Sequence, residues 1–155
     1  MNLTYSMALS QDSQTICAMI GKVFGEFVAP GYEQKGVDTF LDYAEASAMA
    51  KRLESDSHFG FTSKDENRIA GYIEVRGNEH ISLMFVDKEY HIKGICRELF
   101  GLAKSECLIR NPELKQISVN SSPYAVTVYE RLGFSAIDVE QEKNGIRFVP
   151  MSVNV

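Results

Sequence analysis

Apolar residues recur along the chain in two patterns, and their order predicts the secondary structure. Short alternating or clustered apolar runs are typical of strands. They predict six or seven strands over residues 3–9, 58–63, 69–75, 79–86, 116–120, 134–139 and 147–153. Apolar positions at helical spacing predict a helix from residue 10 to near 29–31, a helical region over 36–43 and 45–54, continuous or broken, and helices over 94–110 and 124–132.

The order of these elements predicts an α+β fold with a mixed sheet and helices packed against it. Polar turns at Lys64–Asn67 and Gly77–Asn78 connect three strands as an antiparallel meander. No linker or change of composition divides the chain. We therefore expect a single domain over residues 1–155.

The stretch Ile81–Arg110 carries the strongest chemical signal. An apolar run is followed by a polar turn, Gly94 and an amphipathic helix. The first amides of a helix lack intrahelical acceptors, and this end is partly positive, so it suits a phosphate. Lys93 and Arg97 add positive charge. A strand–glycine–helix junction also occurs without any ligand, and taken alone this signal leaves both interpretations open.

Composition narrows the classes of function. A net charge of −5 argues against a general nucleic-acid binder. The 3 cysteines form no Cys-x-x-Cys pair and the 3 histidines are scattered, so we expect neither disulfides nor a metal site. A reducing, cytoplasmic setting fits these cysteines. The chain shows neither a signal-peptide pattern nor a long apolar run, and we expect no membrane span.

Two motifs give the chain a family resemblance. His91-Ile-Lys-Gly-Ile-Cys96 follows the fourth strand, where the GNAT superfamily of acyl-CoA N-acyltransferases has Gln/Arg-x-x-Gly-x-Gly/Ala. Asn120, Tyr129 and the sequence Leu132-Gly-Phe134 match the family's second signature. The chain resembles a small bacterial branch of that superfamily. His91 and Cys96 depart from the family pattern.

This resemblance implies the fold and the cofactor. It implies a mostly antiparallel sheet of six to seven strands with about four helices, splayed between the fourth and fifth strands. It also implies acetyl-CoA as co-substrate, with the pyrophosphate on loop amides and the Met84 amide as oxyanion donor. The expected cofactor-binding residues are Met84, Phe85, Val86, His91, Ile92, Lys93, Gly94, Ile95, Cys96, Arg97, Asn120 and Tyr124.

The resemblance also supplies candidates for proton transfer. Tyr129 is the candidate general acid toward the leaving thiolate, although a tyrosine here can equally be a core residue. His80 or Glu74 is the candidate base, with a water relay as the alternative. Both also have ordinary structural interpretations, a surface histidine and a solvated strand residue.

The resemblance predicts an N-acetyltransferase that acts on a small primary amine by direct attack in a ternary complex. The alternatives are an acyl-CoA-binding sensor without turnover and a peptide or protein N-acetyltransferase. The first helices are expected to form the acceptor wall, whose aromatic residues would admit an apolar or cationic acceptor. These aromatics are Phe27, Tyr32, Phe40 and Tyr43. The acceptor's identity and the oligomeric state, monomer or homodimer, are left open.

Overall fold

A mostly antiparallel sheet forms the centre of the molecule. The computed structural model describes residues 1–91 and 93–155, and within them the sheet has eight strands. The strands are β1 Leu3–Met7, β2 His58–Asp65, β3 Arg68–Arg76, β4 His80–Val86, β5 Gln116–Ser121, β6 Ser135–Ala136, β7 Gln141–Lys143 and β8 Ile146–Asn154. The α-helices are α1 Ser13–Val23, α2 Gln34–Tyr43, α3 Ala46–Leu53, α4 Ile95–Arg110 and α5 Val126–Arg131.

The strand order is β1-β2-β3-β4-β5-β8-β6, and β7 pairs with β8. Neighbouring strands are antiparallel except β4 and β5, which are parallel and pair only at His80↔Ser118 and Ile81↔Val119. Beyond these two pairs the strands separate. The predicted α+β fold and the predicted splay between the fourth and fifth strands are confirmed.

One local difference from the expected fold, and one point that the sequence left open, have clear causes. The strand predicted over 134–139 is interrupted after β6, because the Asp138 carboxylate accepts hydrogen bonds from the Val139 amide and the Gln141 side chain and forms a turn. The second helical region is broken into α2 and α3. The Glu45 carboxylate caps α3 by accepting from the amides of Ser47 and Ala48.

Buried side chains form one apolar cluster on each face of the sheet. On one face, α4 and α5 contribute Ile95, Leu99 and Tyr129 to a cluster with the strands. On the other face, α1 and α3 contribute Ile16 and Met49, among others. The sheet is therefore covered on both sides, and a gap between its strands connects the two faces.

Strand β4 contains a β-bulge at Ser82. Glu74 pairs with Leu83 whereas Val75 pairs with Ile81, so β4 has one extra residue at this point. As a result, Ile81 lies on the α4 face and Leu83 lies on the α1 face, although two-residue spacing normally keeps side chains on one face. Such a bulge bends the strand where β4 leaves β5.

The β7–β8 hairpin docks on the start of α2. Gly36 and Gly145 are in backbone contact, and a Cβ on Gly36 would overlap the carbonyl of Gly145. The Thr39 hydroxyl donates to the Asn144 carbonyl at 3.0 Å, and the Tyr32 hydroxyl donates to the Arg147 carbonyl at 3.2 Å. These contacts fix the hairpin beside the first helices.

This contact gives a stability prediction with a matched control. Alanine normally stabilises a helix relative to glycine by roughly 0.5–1 kcal/mol. We expect Gly36→Ala to lower the free energy of unfolding by about 1–3 kcal/mol, because the methyl group forces the hairpin backbone away. Gly101→Ala in α4, where the added Cβ meets open space, should raise it. Urea unfolding measures both, and equal gains would contradict the docking.

Candidate active site

A cleft of about 1040 Å³ lies where β4 and β5 separate. One wall comes from the starts of α4 and α5, on one face of the sheet. The other wall comes from residues 23–43 and the β7–β8 hairpin, on the opposite face. The cleft can therefore accommodate two molecules that approach from opposite faces of the sheet.

Backbone groups of β4 face this cleft. The Asp87 amide donates to the Ala70 carbonyl at 2.8 Å, so it points toward β3. Backbone groups alternate in direction along a strand, so the Phe85 amide also points toward β3. The amides of Met84 and Val86 therefore point toward the opening. The Val86 carbonyl accepts from the His91 imidazole at 2.9 Å. The Met84 amide thus has the orientation that its predicted role requires.

Helix α4 presents its N-terminus to the cleft. Gly94 is its N-cap, with a φ of +75° in the left-handed region that favours glycine. The Glu98 amide bonds to the Gly94 carbonyl at 3.2 Å, so the amides of Ile95, Cys96 and Arg97 have no intrahelical acceptor. The cleft is lined by the predicted loop residues His91, Lys93, Gly94, Ile95, Cys96 and Arg97, and Ile92 lies outside the described residues.

Tyr129 lines the cleft from α5. Its side chain is 5% exposed, and its ring contacts Phe134 edge to face at a centroid distance of 5.4 Å. Burial, and secondarily the nearby Cys96 thiol, raise the pKa of its phenol well above the ordinary value. Among the described residues the hydroxyl has no hydrogen-bond partner. The group is therefore a protonated phenol that can donate a hydrogen bond into the cleft.

Asn120 and Tyr124 also line the cleft. Asn120 is at the end of β5 opposite Pro150, and Tyr124 precedes α5. The Tyr124 ring stacks on Phe27 at 5.3 Å, and Phe27 is also 5.4 Å from the His91 ring. Phe27 thus connects the two loops on the α4 side of the opening. Four aromatic residues are predicted to form the acceptor wall. Three of them, Tyr32, Phe40 and Tyr43, line the cleft, and Phe27 does not.

His80 lines the cleft at the start of β4. Its Nδ1 is 2.8 Å from the Ser118 hydroxyl on the neighbouring strand. Burial, and secondarily the charge of Arg76, lower the pKa of the imidazole to about 4. His80 is therefore neutral at physiological pH. In this form it can accept a proton, but it is a weak base.

Glu74 lies behind the cleft wall and does not line it. Its carboxylate is fully buried and accepts from Arg52 Nε at 2.7 Å, from the Tyr72 hydroxyl at 2.7 Å and from the Tyr43 hydroxyl at 3.1 Å. A buried carboxylate with these partners would have to leave its ion pair to act as a base. The geometry gives Glu74 the task of holding Tyr43, which does line the cleft.

The described residues that line the cleft carry positive charge and include no aspartate or glutamate. The Lys and Arg residues among them are Arg76, Lys93, Arg97, Arg131 and Lys143. The whole chain has a net charge of −5, so the charge of the cleft lining is opposite in sign to the net charge of the protein. Sequence reasoning missed Arg76, Arg131 and Lys143, because no motif marks residues that only the fold brings together.

The sequence matches a known family over most of its length. A family profile described as the acetyltransferase (GNAT) domain matches residues 28–155. The chain belongs to the GNAT acetyltransferase family. The predicted superfamily membership is thereby confirmed. No curated protein sequence matches significantly. None of the helices in residues 1–91 and 93–155 has the length and apolarity that a membrane span requires.

Solved structures with low sequence identity share the GNAT fold. A GCN5-related N-acetyltransferase from Rhodopseudomonas palustris is 15% identical, with a TM-score of 0.84 over 100% of this chain and 97% of that one. The PaiA N-acetyltransferase from Thermoplasma acidophilum, in complex with coenzyme A, is 14% identical, with a TM-score of 0.77 over 100% of both chains. An aminoglycoside 6'-N-acetyltransferase complexed with coenzyme A is 10% identical, with a TM-score of 0.71 over 97% of this chain and 96% of that one.

The environment of His80 predicts a pH dependence of stability. Because its pKa is lowered in the folded state, the unfolded chain binds a proton first as the pH falls from about 6.5 to about 4. We expect the wild type to lose stability across that window. The loss from this residue is on the order of 1–2 kcal/mol, since partial exposure screens the charge.

Urea unfolding at neutral pH and near the lower end of the window tests this expectation. His80→Gln should remove that part of the loss. Ser118→Ala removes one hydrogen bond but keeps the imidazole and the burial that lowers its pKa, so most of the wild-type pH dependence should remain. An identical loss in His80→Gln and the wild type would show that His80 titrates normally.

Proposed function

We propose that this protein is an N-acetyltransferase that transfers the acetyl group of acetyl-CoA to a primary amine of a small molecule. One observation carries the proposal: helix-start amides of α4 that lack an intrahelical acceptor, the Met84 amide and the Tyr129 phenol all border one cleft that reaches both faces of the sheet. The coenzyme A complexes of two proteins with this fold support coenzyme A as the group bound here.

The residues at the start of α4 suit an acyl-CoA. Amides without an intrahelical acceptor and the helix dipole favour a pyrophosphate at this position, and the exposed Lys93 and Arg97 side chains add formal charge. The open edge of β4 next to Met84 and Val86 suits the amide-containing pantetheine arm, because both sides offer backbone-type donors and acceptors. The Cys96 side chain takes more space than the Gly or Ala of the family pattern, but the proposed contacts are to the backbone.

In the proposed reaction, the amine nitrogen attacks the thioester carbonyl carbon in a ternary complex. The carbonyl electron pair moves to oxygen, where the Met84 amide donates a hydrogen bond to the developing charge. When the carbon–sulfur bond breaks, the electron pair leaves with sulfur and the Tyr129 phenol supplies a proton to it. The products are an amide and free coenzyme A, and the proton lost by the amine restores the phenol by way of solvent.

The cleft favours the neutral form of the amine. Apolar walls lower the pKa of an ammonium group, because they disfavour its charged form. A strong base is then unnecessary, and a water relay that includes neutral His80 can remove the last proton. We propose His80 in this role and assign Glu74 to positioning Tyr43.

A small acceptor suits the geometry better than a peptide. The contact between Thr39 and Asn144 closes the cleft between α2 and the β7–β8 hairpin. The extended chain of a protein substrate would have to displace this contact. We therefore propose a small-molecule acceptor over the peptide alternative.

A binding module without turnover is the second candidate. His91 replaces the Gln or Arg of the family pattern, and its imidazole donates to the Val86 carbonyl at the edge of the cofactor site. A loop held by this hydrogen bond can bind an acyl-CoA even if the protein transfers no acyl group to an acceptor. Acetyl-CoA binding with no thiol release across a broad amine panel would favour this candidate.

We also propose that residues 1–155 act as a single domain in a reducing, cytoplasmic setting. Within the described residues, Cys17, Cys96 and Cys107 are free thiols. Burial raises the pKa of each to about 11, so each stays protonated at neutral pH. This supports the absence of a cysteine nucleophile in the proposed mechanism.

Replacement of Tyr129 tests the proposed general acid. We expect Tyr129→Phe to lower kcat by about a hundredfold or more, because the thiolate must then leave without a proton. Affinity for acetyl-CoA should change little, since the ring remains. The measurements are free-thiol release with the best amine of a broad panel, and calorimetry for binding.

Tyr5→Phe, on β1 outside the cleft, is the matched control and should keep the wild-type rate. A Tyr129→Phe variant with wild-type kcat would remove Tyr129 from the mechanism.

Charge removal at the start of α4 tests the phosphate site. We expect the double variant Lys93→Gln/Arg97→Gln to lower kcat/KM for acetyl-CoA by about tenfold or more, through two lost charge-assisted contacts. S-acetyl-N-acetylcysteamine has the thioester but no phosphates, so its slower turnover should be unaffected by the substitutions. Lys104→Gln, further along α4, is the control. An equal loss with both thioesters would contradict phosphate binding here.

A further inference from the structure

The half of the cleft on the α1–α2 face, which we call the acceptor side, has rigid aromatic walls. Phe24 stacks on Phe40 at a centroid distance of 4.0 Å and contacts Tyr32 edge to face at 5.7 Å. Phe40 in turn lies 5.7 Å from Phe85 on β4. These packed rings favour an acceptor with an apolar body over a highly hydrated one.

The acceptor side contains no counter-charge for a second ammonium group. The described residues that line it include no carboxylate. Glu74 is fully buried behind Tyr43 and Ser82 and is paired with Arg52 through two contacts of 2.7 Å and 3.3 Å. Its charge is therefore already balanced. This argues against the cationic acceptor that the aromatic residues alone would have admitted.

Arg76 and Lys143 are the cations on this side. Arg76 pairs with His80 at the start of β4. The coenzyme A phosphates are proposed to bind beyond the other end of β4, at Val86, which is six residues or roughly 20 Å of strand from His80. Lys143 adjoins Asn144, which Thr39 holds on α2. Neither cation has a salt bridge within residues 1–91 and 93–155. Coenzyme A phosphates bound at the start of α4 would be too far away to neutralise Arg76.

From these observations, and given the proposed function, we infer that the acceptor is an amine that also carries a carboxylate on an apolar spacer, bound by Arg76, with Lys143 adding positive charge to the same side of the cleft. An arginine binds a carboxylate by charge-assisted and often bidentate hydrogen bonds. Met84, beside the reacting centre, is four residues from His80, or roughly 13 Å of strand. The Arg76 side chain spans only part of this distance, so the carboxylate is several bonds from the amine.

Three acceptors with similar spacers test this assignment. ε-Aminocaproate ends in a carboxylate, hexylamine in a methyl group and hexamethylenediamine in a second ammonium. We expect kcat/KM from acetyl-CoA-dependent thiol release to be about tenfold or more higher for ε-aminocaproate than for hexylamine, with the diamine lowest. A wild-type preference for the diamine, or equal values for all three, would overturn the inference.

Variants of the two cations identify the contact. Arg76→Gln should abolish most of the preference for ε-aminocaproate, because it lowers kcat/KM for this acceptor far more than for hexylamine, and Lys143→Gln should reduce the preference less. Lys115→Gln, an exposed cation before β5, is the control and should keep the full preference. An unchanged preference in Arg76→Gln would also overturn the inference.

Failure of the acetyltransferase proposal can be separated from failure of this inference. If no amine supports thiol release, the proposed function fails. NMR titration of the coenzyme A-saturated protein with ε-aminocaproate and with hexamethylenediamine then decides the acceptor chemistry. Binding of ε-aminocaproate that Arg76→Gln abolishes would support the inference. Binding of the diamine alone, binding that is insensitive to Arg76→Gln, or no binding of either compound would overturn it.

Discussion

The separation of two parallel strands determines most of this molecule's functional geometry. β4 and β5 share two residue pairs and then diverge, at the point where the bulge at Ser82 bends β4. Backbone amides that would normally pair within a sheet are left facing a cleft, and unpaired backbone groups favour a ligand or water with matching polar groups. An acyl-CoA supplies such groups along its pantetheine arm. The open strand edge is therefore part of the proposed binding site.

The helices on the two faces of the sheet contribute different groups to this opening. α4 and α5 bring the partly positive helix terminus and the Tyr129 phenol to one side. The first helices and the β7–β8 hairpin bring aromatic rings to the other side, and backbone contact between Gly36 and Gly145 holds hairpin and helix together. The proposed reaction needs this arrangement, because the amine must reach the thioester carbon from a direction that the bound coenzyme A leaves open.

Charge is distributed unevenly between the protein and its cleft. The chain is acidic overall, yet the described cleft lining carries lysine and arginine and no carboxylate. Glu74, behind the acceptor wall, is buried with Arg52 and two tyrosine hydroxyls. A pair of this kind adds little net charge to its surroundings, but it fixes the side chains that bond to it. Tyr43 is one of these, so the ion pair shapes the acceptor wall without contributing charge to it.

The sequence by itself determined the order of elements, the mixed sheet, the helix that begins at Gly94 and the family motifs. These signals are local, because hydrophobic periodicity, turn residues and capping depend on neighbours in the chain. It did not reveal the interruption at Asp138, the pairing of Glu74 with Arg52, the low pKa of His80 or the cations of the acceptor side. Each of these depends on a partner or a degree of burial that only tertiary packing provides. Arg76 is an ordinary strand-end residue in the sequence, and only the fold places it beside His80 at the edge of the cleft.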